Sequence, residues 1–330
     1  MTFVRSLPSF SDVEGAAKRI ARHVTRTPLL RSVELDRATG ATVLVKADCL
    51  QPTGAFKVRG AFSRLTALSA AEKRRGVVAF SSGNHGQAVA YAAKTLGLSA
   101  VIVMPKTAPA IKITKTKSHG ARVVLYDPKT KSREKIASGI AARTGRILVP
   151  SFDDPFIVAG QGTAALEAVE DAKALGLSFD VYLVCTGGAG LLSGTTLVFE
   201  KLSPQTKLYA VEPKGYDDFA RSLKAGRRLS IGKHPPVSFC DAIRTPSTSD
   251  LTFAIASRFA AGGLVVSDAE VKRAMRFAFE NLKIVTEPGG TVALAALLAG
   301  KIPAKGKTIG LTITGGNVDP EIFVKILKSR

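Results

Sequence analysis

Four stretches of the 330-residue sequence place glycines and small polar side chains directly after an apolar run. In parallel α/β proteins a strand ends and a helix begins at such points, and ligands bind there. The first stretch, QPTGAFKVRGA from Gln51 to Ala61, contains Lys57 directly after Phe56. If the Pro/Gly turn and the aromatic ring place the amine in an apolar cleft, a lowered pKa would suit it to Schiff-base chemistry. A solvated surface lysine is the alternative interpretation.

The other three stretches combine hydroxyl groups, amides and glycines in a way that favours anion binding. They are FSSGNHGQ (80–87), VCTGGAGLLSG (184–194) and LTITGGNVD (311–319). Backbone amides at a helix N-terminus bind anions, and clustered glycines allow such amides to surround a phosphate. Stretch 184–194 is neither a GxGxxG motif nor a P-loop, because GK[ST] is missing. Thr314 alone would be a helix cap, but in this company it is a candidate cofactor contact.

Short apolar strands and amphipathic helices must position these stretches. Buried strands are predicted at 42–45, 76–80, 100–103, 122–125, 147–149, 181–184, 208–211 and 309–313. Between them, the capping-box pattern Ser-x-x-Glu marks helix starts at Ser11–Glu14, Ser69–Glu72 and Ser267–Glu270. The alternation predicts an α/β protein with mostly parallel sheets. The length, without a linker, favours two lobes with one inserted in the other and the ligand cleft between them.

The net charge of +21, from 47 basic and 26 acidic residues, leaves two interpretations open. A basic surface can bind nucleic acid or attract anionic small molecules. The 6% aromatic content, the lack of Trp and the scattered basic residues favour the second. Three separated cysteines without CxxC, and four histidines without HxxxH, argue against disulfides and structural or hydrolytic zinc. No apolar run approaches ~18 residues and no secretory signal is recognised, so we expect no membrane span and a cytoplasmic location.

The segments FKVRGA, SSGNHGQA, AGQGT (Ala159–Thr163), the glycine-rich loop and TGGNVD, in this order, resemble a known enzyme group. They are similar to the fold-type II pyridoxal-phosphate enzymes, specifically the serine/threonine dehydratase (threonine ammonia-lyase) and serine racemase family. The resemblance implies the tryptophan synthase beta-like fold: two open, twisted, mostly parallel sheets flanked by helices. We predict a large cofactor-binding domain of residues 1–52 and 152–330, and a small mobile domain of 53–151 that closes over the substrate. The resemblance also implies a homodimer.

The resemblance assigns a role to each motif residue. Lys57 would bind pyridoxal 5'-phosphate covalently and remove the α-proton, and Ser82 matches the racemase base on the opposite face. The other expected cofactor contacts are Phe56, Asn84, Gly187, Gly188, Ala189, Gly190, Leu191, Glu287 and Thr314. The expected substrate contacts are Ser81, Ser82, Asn84, His85 and Arg133. Glu212, Tyr216 and Asp218 resemble the group's divalent-cation loop and would bind Mg or Ca, with a charged surface turn as the alternative.

Two of these positions depart from the family pattern. Ala189 interrupts the usual run of four glycines, which is tolerable if its φ stays negative. Thr314 stands where serine is more common. Like serine, it offers the pyridine nitrogen a neutral hydroxyl group, which favours rapid loss of a β-substituent over a long-lived carbanion.

The implied activity is a dehydratase (ammonia-lyase) that converts L-threonine and/or L-serine to a 2-oxo acid and ammonia by elimination of water. A serine racemase and a 3-hydroxyaspartate dehydratase are the alternatives. Arg133 would bind a second carboxylate of the substrate, or it is a surface arginine. Phe152 favours a methyl-bearing substrate. Ala242 departs from the segment that usually lines the substrate pocket in this family. A non-catalytic anion-binding protein is disfavoured, because phosphate binding alone needs no lysine at Lys57.

Overall fold

Two separate β-sheets flanked by helices form the framework of the protein. The structure is a computed structural model that describes residues 7–81, 83–108, 110–232 and 235–328. The strands are β1 (Leu29–Leu30), β2 (Thr42–Ala47), β3 (Val77–Phe80), β4 (Ala100–Pro105), β5 (Arg122–Tyr126), β6 (Ile147–Leu148), β7 (Val181–Cys185), β8 (Lys207–Pro213), β9 (Ala260–Val266) and β10 (Thr308–Ile313). The helices are α1 (Phe10–Ile20), α2 (Val33–Thr39), α3 (Lys57–Thr66), α4 (Ala70–Arg75), α5 (Asn84–Thr95), α6 (Ala110–Ser118), α7 (Arg133–Thr144), α8 (Pro155–Ala174), α9 (Gly190–Leu202), α10 (Asp218–Ala225), α11 (Asp250–Ala256), α12 (Asp268–Phe277), α13 (Val292–Leu298) and α14 (Pro320–Lys328). None of the helices described is long and apolar enough to cross a membrane.

Both sheets are mostly parallel. The six-stranded sheet has the order β1-β2-β10-β7-β8-β9, in which β1 pairs antiparallel with β2 and the other described pairs are parallel. The four-stranded sheet has the order β5-β4-β3-β6 with parallel pairs. The predicted α/β class and all eight predicted strands are confirmed. Two strands were not predicted: β1, which has two residues, and β9, which opens with Ala-Ala-Gly-Gly and lacks the β-branched signal.

The two sheets use different ranges of the chain, and the predicted domain boundaries at 52/53 and 151/152 stay a prediction. Strands β3–β6 all fall between residues 77 and 148, whereas the strands of the six-stranded sheet precede or follow this range. Within β2, Val43 and Val45 pack in one apolar cluster and Leu44 in another, so both faces of this strand are covered. Burial on two faces explains why such strands appear in the sequence as continuous apolar runs.

Local capping patterns located helix starts in two of three cases. The capping boxes at Ser69–Glu72 and Ser267–Glu270 are confirmed. The prediction for Ser11–Glu14 is wrong, because α1 begins earlier and Ser9 is its N-cap residue. The Asp12 carboxylate accepts hydrogen bonds from the Ser9 backbone N–H and hydroxyl group, each at 2.8 Å. The pattern Ser-x-x-Asp at Ser9–Asp12 overlaps the predicted pattern Ser11–Glu14, and the earlier of the two caps the helix.

Helices α3 and α8 approach closely through glycines. A Cβ atom built on Gly160 of α8 would lie 2.8 Å from the Cα of Gly60 and 2.7 Å from the Arg59 carbonyl oxygen on α3. The Gly60 N–H donates to the side-chain oxygen of Gln161 at 3.3 Å. The AGQGT segment therefore brings the backbone of α8 against the helix that begins at Lys57.

We expect Gly160→Ala to lower the free energy of unfolding by about 1–3 kcal/mol, because the added methyl group must push the two helices apart. Gly139→Ala in α7 is the matched control, since its Cβ would meet the flexible end of the Arg143 side chain at 3.3 Å. Removing that helical glycine should raise stability by up to about 1 kcal/mol. Urea unfolding of both variants measures the difference, and equal midpoints would contradict the tight crossing.

Candidate active site

A cavity of about 160 Å³ lies between the two sheets and brings together residues that are distant in the chain. Every described residue that the sequence indicated for cofactor or substrate binding lines it: Phe56, Lys57, Ser81, Asn84, His85, Arg133, Gly187, Gly188, Ala189, Gly190, Leu191, Glu287 and Thr314. Ser82 lies outside the described residues. The lining also includes residues that were not assigned to the site from the sequence, among them Phe80, Lys112, Ser151, Asp241, Arg244 and Thr245.

Lys57 is the first residue of α3, and its amine is enclosed in this cleft. The amine donates to the backbone carbonyl of Ser151 at 2.9 Å and lies 5.0 Å from the centre of the Phe56 ring. Burial lowers the pKa of the amine from 10.5 to about 8. An amine with a lowered pKa is more often unprotonated, and therefore nucleophilic, at neutral pH than a solvated lysine. The apolar-cleft interpretation of Lys57 is thus favoured over the surface lysine.

The glycine-rich loop joins β7 to α9 and presents the N-terminus of that helix to the cleft. The first backbone N–H groups of a helix have no partners within it, and the helix dipole adds partial positive charge there. Phe152 packs directly on the loop: a Cβ at Gly190 would lie 2.9 Å from the Cβ of Phe152, and one at Gly188 would collide with the ring. Glycine at these two positions lets the backbone approach both Phe152 and a bound anion.

Ala189 adopts a left-handed backbone conformation, with φ 62° and ψ 14°. The expectation of a negative φ is therefore wrong. Ala189 is the N-cap residue of α9, and the chain must turn there so that its carbonyl can accept the Ser193 N–H at 2.8 Å. A side chain in the left-handed region costs about 1–2 kcal/mol relative to glycine. The loop keeps the conformation of a glycine run although a methyl group is present.

Asn84, Glu287 and Asn317 form a hydrogen-bonded chain at the cleft. Asn317 Nδ2 donates to Asn84 Oδ1 at 2.9 Å and to the Thr53 carbonyl at 2.8 Å, and Asn84 Nδ2 donates to Glu287. The chain fixes which way the Asn84 amide faces, and an amide nitrogen carries a second hydrogen that a ligand oxygen can accept. Burial raises the pKa of Glu287 to about 8. Asn317 was not singled out from the sequence, although the TGGNVD segment contains it.

The start of α5 offers further backbone N–H groups to the cleft, from Asn84 and His85. The His85 side chain is buried, and its Nε2 lies 2.9 Å from the Val149 carbonyl. Burial and the nearby Lys57 charge lower the pKa of this ring to about 3, so it is neutral. Because a carbonyl only accepts, Nε2 carries the hydrogen and Nδ1 does not. The His85 backbone N–H, rather than its ring, can therefore donate to a substrate carboxylate.

Basic side chains surround the outer part of the cleft. Arg133, at the start of α7, lies with its guanidinium carbon 5.4 Å from the centre of the Phe80 ring, and its Nε donates to Glu134 at 2.8 Å. Lys112 forms an ion pair with Asp241 at 2.9 Å, and Arg244 also lines the cavity. A site with more basic than acidic groups attracts anionic ligands.

The residues expected to bind a cation lie outside the cleft lining. Glu212 accepts the backbone N–H groups of Phe219 and Ala220 at 2.9 and 2.8 Å, at the start of α10, and Asp218 accepts the Thr248 N–H at 3.1 Å. Burial raises the pKa of Glu212 to about 8 and that of Asp218 to about 6. Tyr216, which lies between these two residues in the sequence, is also buried. The described residues contain no cluster of three His, Cys, Asp or Glu side chains suited to a metal ion, so cation binding stays a prediction.

A family model described as pyridoxal-phosphate dependent enzyme matches residues 20–315. The chain belongs to the pyridoxal-phosphate-dependent enzyme family. It is 44% identical to the L-threo-3-hydroxyaspartate ammonia-lyase of a Pseudomonas species, covering 98% of this chain and 99% of that protein. It is 40% identical to the serine racemase of Schizosaccharomyces pombe, covering 97% and 98%. The crystal structure of T.th. threonine deaminase matches with a TM-score of 0.88 and 42% identity, covering 94% of this chain and 99% of that one.

Family membership confirms the resemblance to fold-type II pyridoxal-phosphate enzymes of the serine/threonine dehydratase and serine racemase family. It also confirms that this pyridoxal-phosphate enzyme is of the ammonia-lyase kind. The relatives named above include proteins that act on 3-hydroxyaspartate, threonine and serine. The substrate must therefore be argued from the residues of the cleft.

Replacing Ala189 by glycine should relieve the strained conformation of the loop. We expect Ala189→Gly to raise the free energy of unfolding by up to about 1 kcal/mol, since the gain from the left-handed region is partly offset by the greater freedom of glycine in the unfolded chain. Ala90→Gly, in the buried and regular part of α5, is the control and should destabilise the protein. Thermal unfolding of both variants checks this, and a loss of stability in Ala189→Gly would contradict the strain.

Proposed function

We propose that the chain is a pyridoxal-phosphate-dependent dehydratase that eliminates water from a β-hydroxy amino acid, with L-threo-3-hydroxyaspartate as the preferred substrate. The observation that carries the substrate class is the position of Arg133, which lines the same cavity as Lys57 and stands over Phe80. L-Threonine and L-serine form the second candidate class, and Phe152 in the cavity lining favours the methyl-bearing member, L-threonine.

The residues of the cleft fit the cofactor. The start of α9 and the loop from Gly187 to Leu191 offer backbone N–H groups for a phosphate, and a Cβ at Gly188 would close the space between Phe152 and the loop. Phe56 offers an aromatic face beside Lys57. Asn84 would donate to the 3′-oxygen of the ring, Glu287 would pack near the ring, and the Thr314 hydroxyl would meet its nitrogen.

Each residue then has a definite task in the reaction. When bound, pyridoxal phosphate supplies an electron sink that acidifies the α-C–H bond of an amino acid. The backbone N–H groups of Asn84 and His85 would hold the α-carboxylate at the start of α5. The Lys57 amine, with its lowered pKa, would accept the α-proton once the substrate amine has replaced it. The β-hydroxyl group would then leave as water by taking up the proton held on the Lys57 ammonium group, and hydrolysis of the resulting enamine would give a 2-oxo acid and ammonia.

Arg133 provides what a dicarboxylate requires beyond the α-carboxylate site. Its guanidinium group contacts the Phe80 ring and Glu134, and 44% of the side chain stays exposed, so it is open to a ligand. Charge-assisted hydrogen bonds from arginine to carboxylate are strong and can be bidentate. Lys112 and Arg244 add positive charge at the same cavity. A threonine methyl group in that place could not form a charge-assisted hydrogen bond with Arg133.

Three further expectations accompany this proposal. A homodimer stays an expectation that the family resemblance implies. Binding of Mg or Ca at Glu212, Tyr216 and Asp218 stays a prediction, as does the cytoplasmic location. Serine racemisation is the alternative activity and depends on Ser82.

The proposal is tested by measuring 2-oxo acid release from L-threo-3-hydroxyaspartate, L-threonine and L-serine. We expect wild type to prefer hydroxyaspartate and Lys57→Ala to be inactive with all three. Arg133→Gln should lower kcat/KM for hydroxyaspartate about 10- to 100-fold, which corresponds to the loss of a hydrogen bond to a charged group. The kcat/KM for L-serine should stay within about threefold of the wild-type value.

Lys135→Gln is the matched control, because it removes one positive charge from the same helix and Lys135 is exposed away from the cavity lining. It should leave both substrates unchanged. Equal losses for hydroxyaspartate and serine in Arg133→Gln would contradict the substrate assignment. No release from any substrate by cofactor-loaded wild type would contradict the dehydratase.

A further inference from the structure

A buried ionic cluster lies outside the cleft lining and takes no part in the chemistry described above. It consists of Lys46 on β2, Asp48 directly after β2, Arg59 on α3 and Glu167 on α8, and we call it the Arg59 cluster. Lys46, Asp48 and Arg59 are fully buried. Burying charges is unfavourable unless they are paired with good geometry, so the pairing in this cluster must be specific.

The guanidinium group of Arg59 is held on two sides. Its Nε and one terminal nitrogen donate to the two oxygens of Asp48 at 2.7 and 2.9 Å. Its terminal nitrogens donate to the two oxygens of Glu167 at 2.7 and 2.8 Å. Burial alone would raise the pKa of Asp48, but Arg59 holds it below the ordinary value. Two bidentate pairs fix both the position and the plane of the fork.

Helix α3 lacks the local groups that usually fix a helix start. Its N-cap residue is Phe56, with no side-chain hydrogen bond to the helix, and its first turn contains no acidic residue. Ordinary helices gain stability from such caps and acids. The start of α3 is held instead by tertiary contacts, namely the Phe56 N–H donating to the Thr314 carbonyl at 3.0 Å and the Arg59 cluster.

Lys57 and Arg59 stand on opposite sides of this short helix. Residues two apart on an α-helix point about 200° away from each other. Accordingly, the Lys57 amine reaches Ser151 in the cleft while Arg59 reaches Asp48 and Glu167 in the interior. A rotation or slide of α3 would move the amine, and it would also break two bidentate pairs.

We propose that Arg59 is a positioning residue for the reactive amine: clamped between Asp48 and Glu167, it fixes the rotation and height of α3 and thereby the place of Lys57. This inference rests on the proposed function, in which Lys57 binds the cofactor. Lysine cannot replace arginine in this role, because an ammonium group is not planar and cannot form two bidentate pairs that fix the plane of the group.

The test compares Arg59→Lys with Arg26→Gln in the cofactor-loaded enzyme. Arg26 is exposed and pairs with Glu170 and Asp171 of the same helix α8, so its variant alters the carboxylates of α8 and leaves α3 alone. We expect Arg59→Lys to lower kcat at least tenfold with KM within threefold, since the carboxylate site on α5 is unchanged. The pH midpoint of the cofactor's visible absorption band should shift by at least half a unit. Arg26→Gln should change neither quantity.

Wild-type kcat and an unshifted midpoint in folded Arg59→Lys would overturn the proposal, even if that variant melts at a lower temperature. If Arg59→Lys does not fold, Glu167→Gln decides by the same two criteria, because it loosens one side of the fork and leaves the Asp48 pair. Failure of the proposed function has a different signature. In that case wild type itself lacks the visible band, or Lys57→Ala retains it.

Discussion

The rest of the structure depends on one constraint, the burial of the Lys57 amine against a single backbone carbonyl. An ammonium group removed from water is unfavourable, so burial lowers the pKa of this amine to about 8. The amine must also keep its position in the cleft if it is to reach a bound ligand. The close crossing of α3 with α8, and the contact of Lys57 with Ser151, both serve this requirement.

Two helix starts line the cleft, and under the proposed function each would bind an anionic group. The glycine-rich loop and α9 belong to the six-stranded sheet, whereas α5 follows β3 of the four-stranded sheet. Each presents backbone N–H groups, which stay fixed without losing side-chain entropy. A phosphate on one side and a carboxylate on the other would place the reacting carbon beside Lys57. Under the proposed function, Arg133, which lines the same cavity, would bind a third anionic group.

The sequence predicted the cleft well because its residues sit in short motifs next to strands, where a parallel sheet leaves few places for a ligand. Thirteen indicated residues line one cavity. Backbone conformation was less predictable: Ala189 was expected to avoid a positive φ, but the helix start overrides that preference. The orientation of Asn84 by Asn317, and the tautomer of His85, depend on contacts distant in the chain. Such partners have no signal in local spacing.

The most direct test of the central role of Lys57 is to reduce the cofactor-loaded enzyme with borohydride and locate the cofactor by peptide mass spectrometry. Lys112 also lines the cavity, but its amine is paired with Asp241 at 2.9 Å. The two lysines are far apart in the sequence, so their peptides can be distinguished. We predict that the reduced cofactor is attached to the peptide containing Lys57. Attachment to Lys112, or no covalent attachment in an enzyme that is active before reduction, would contradict this role.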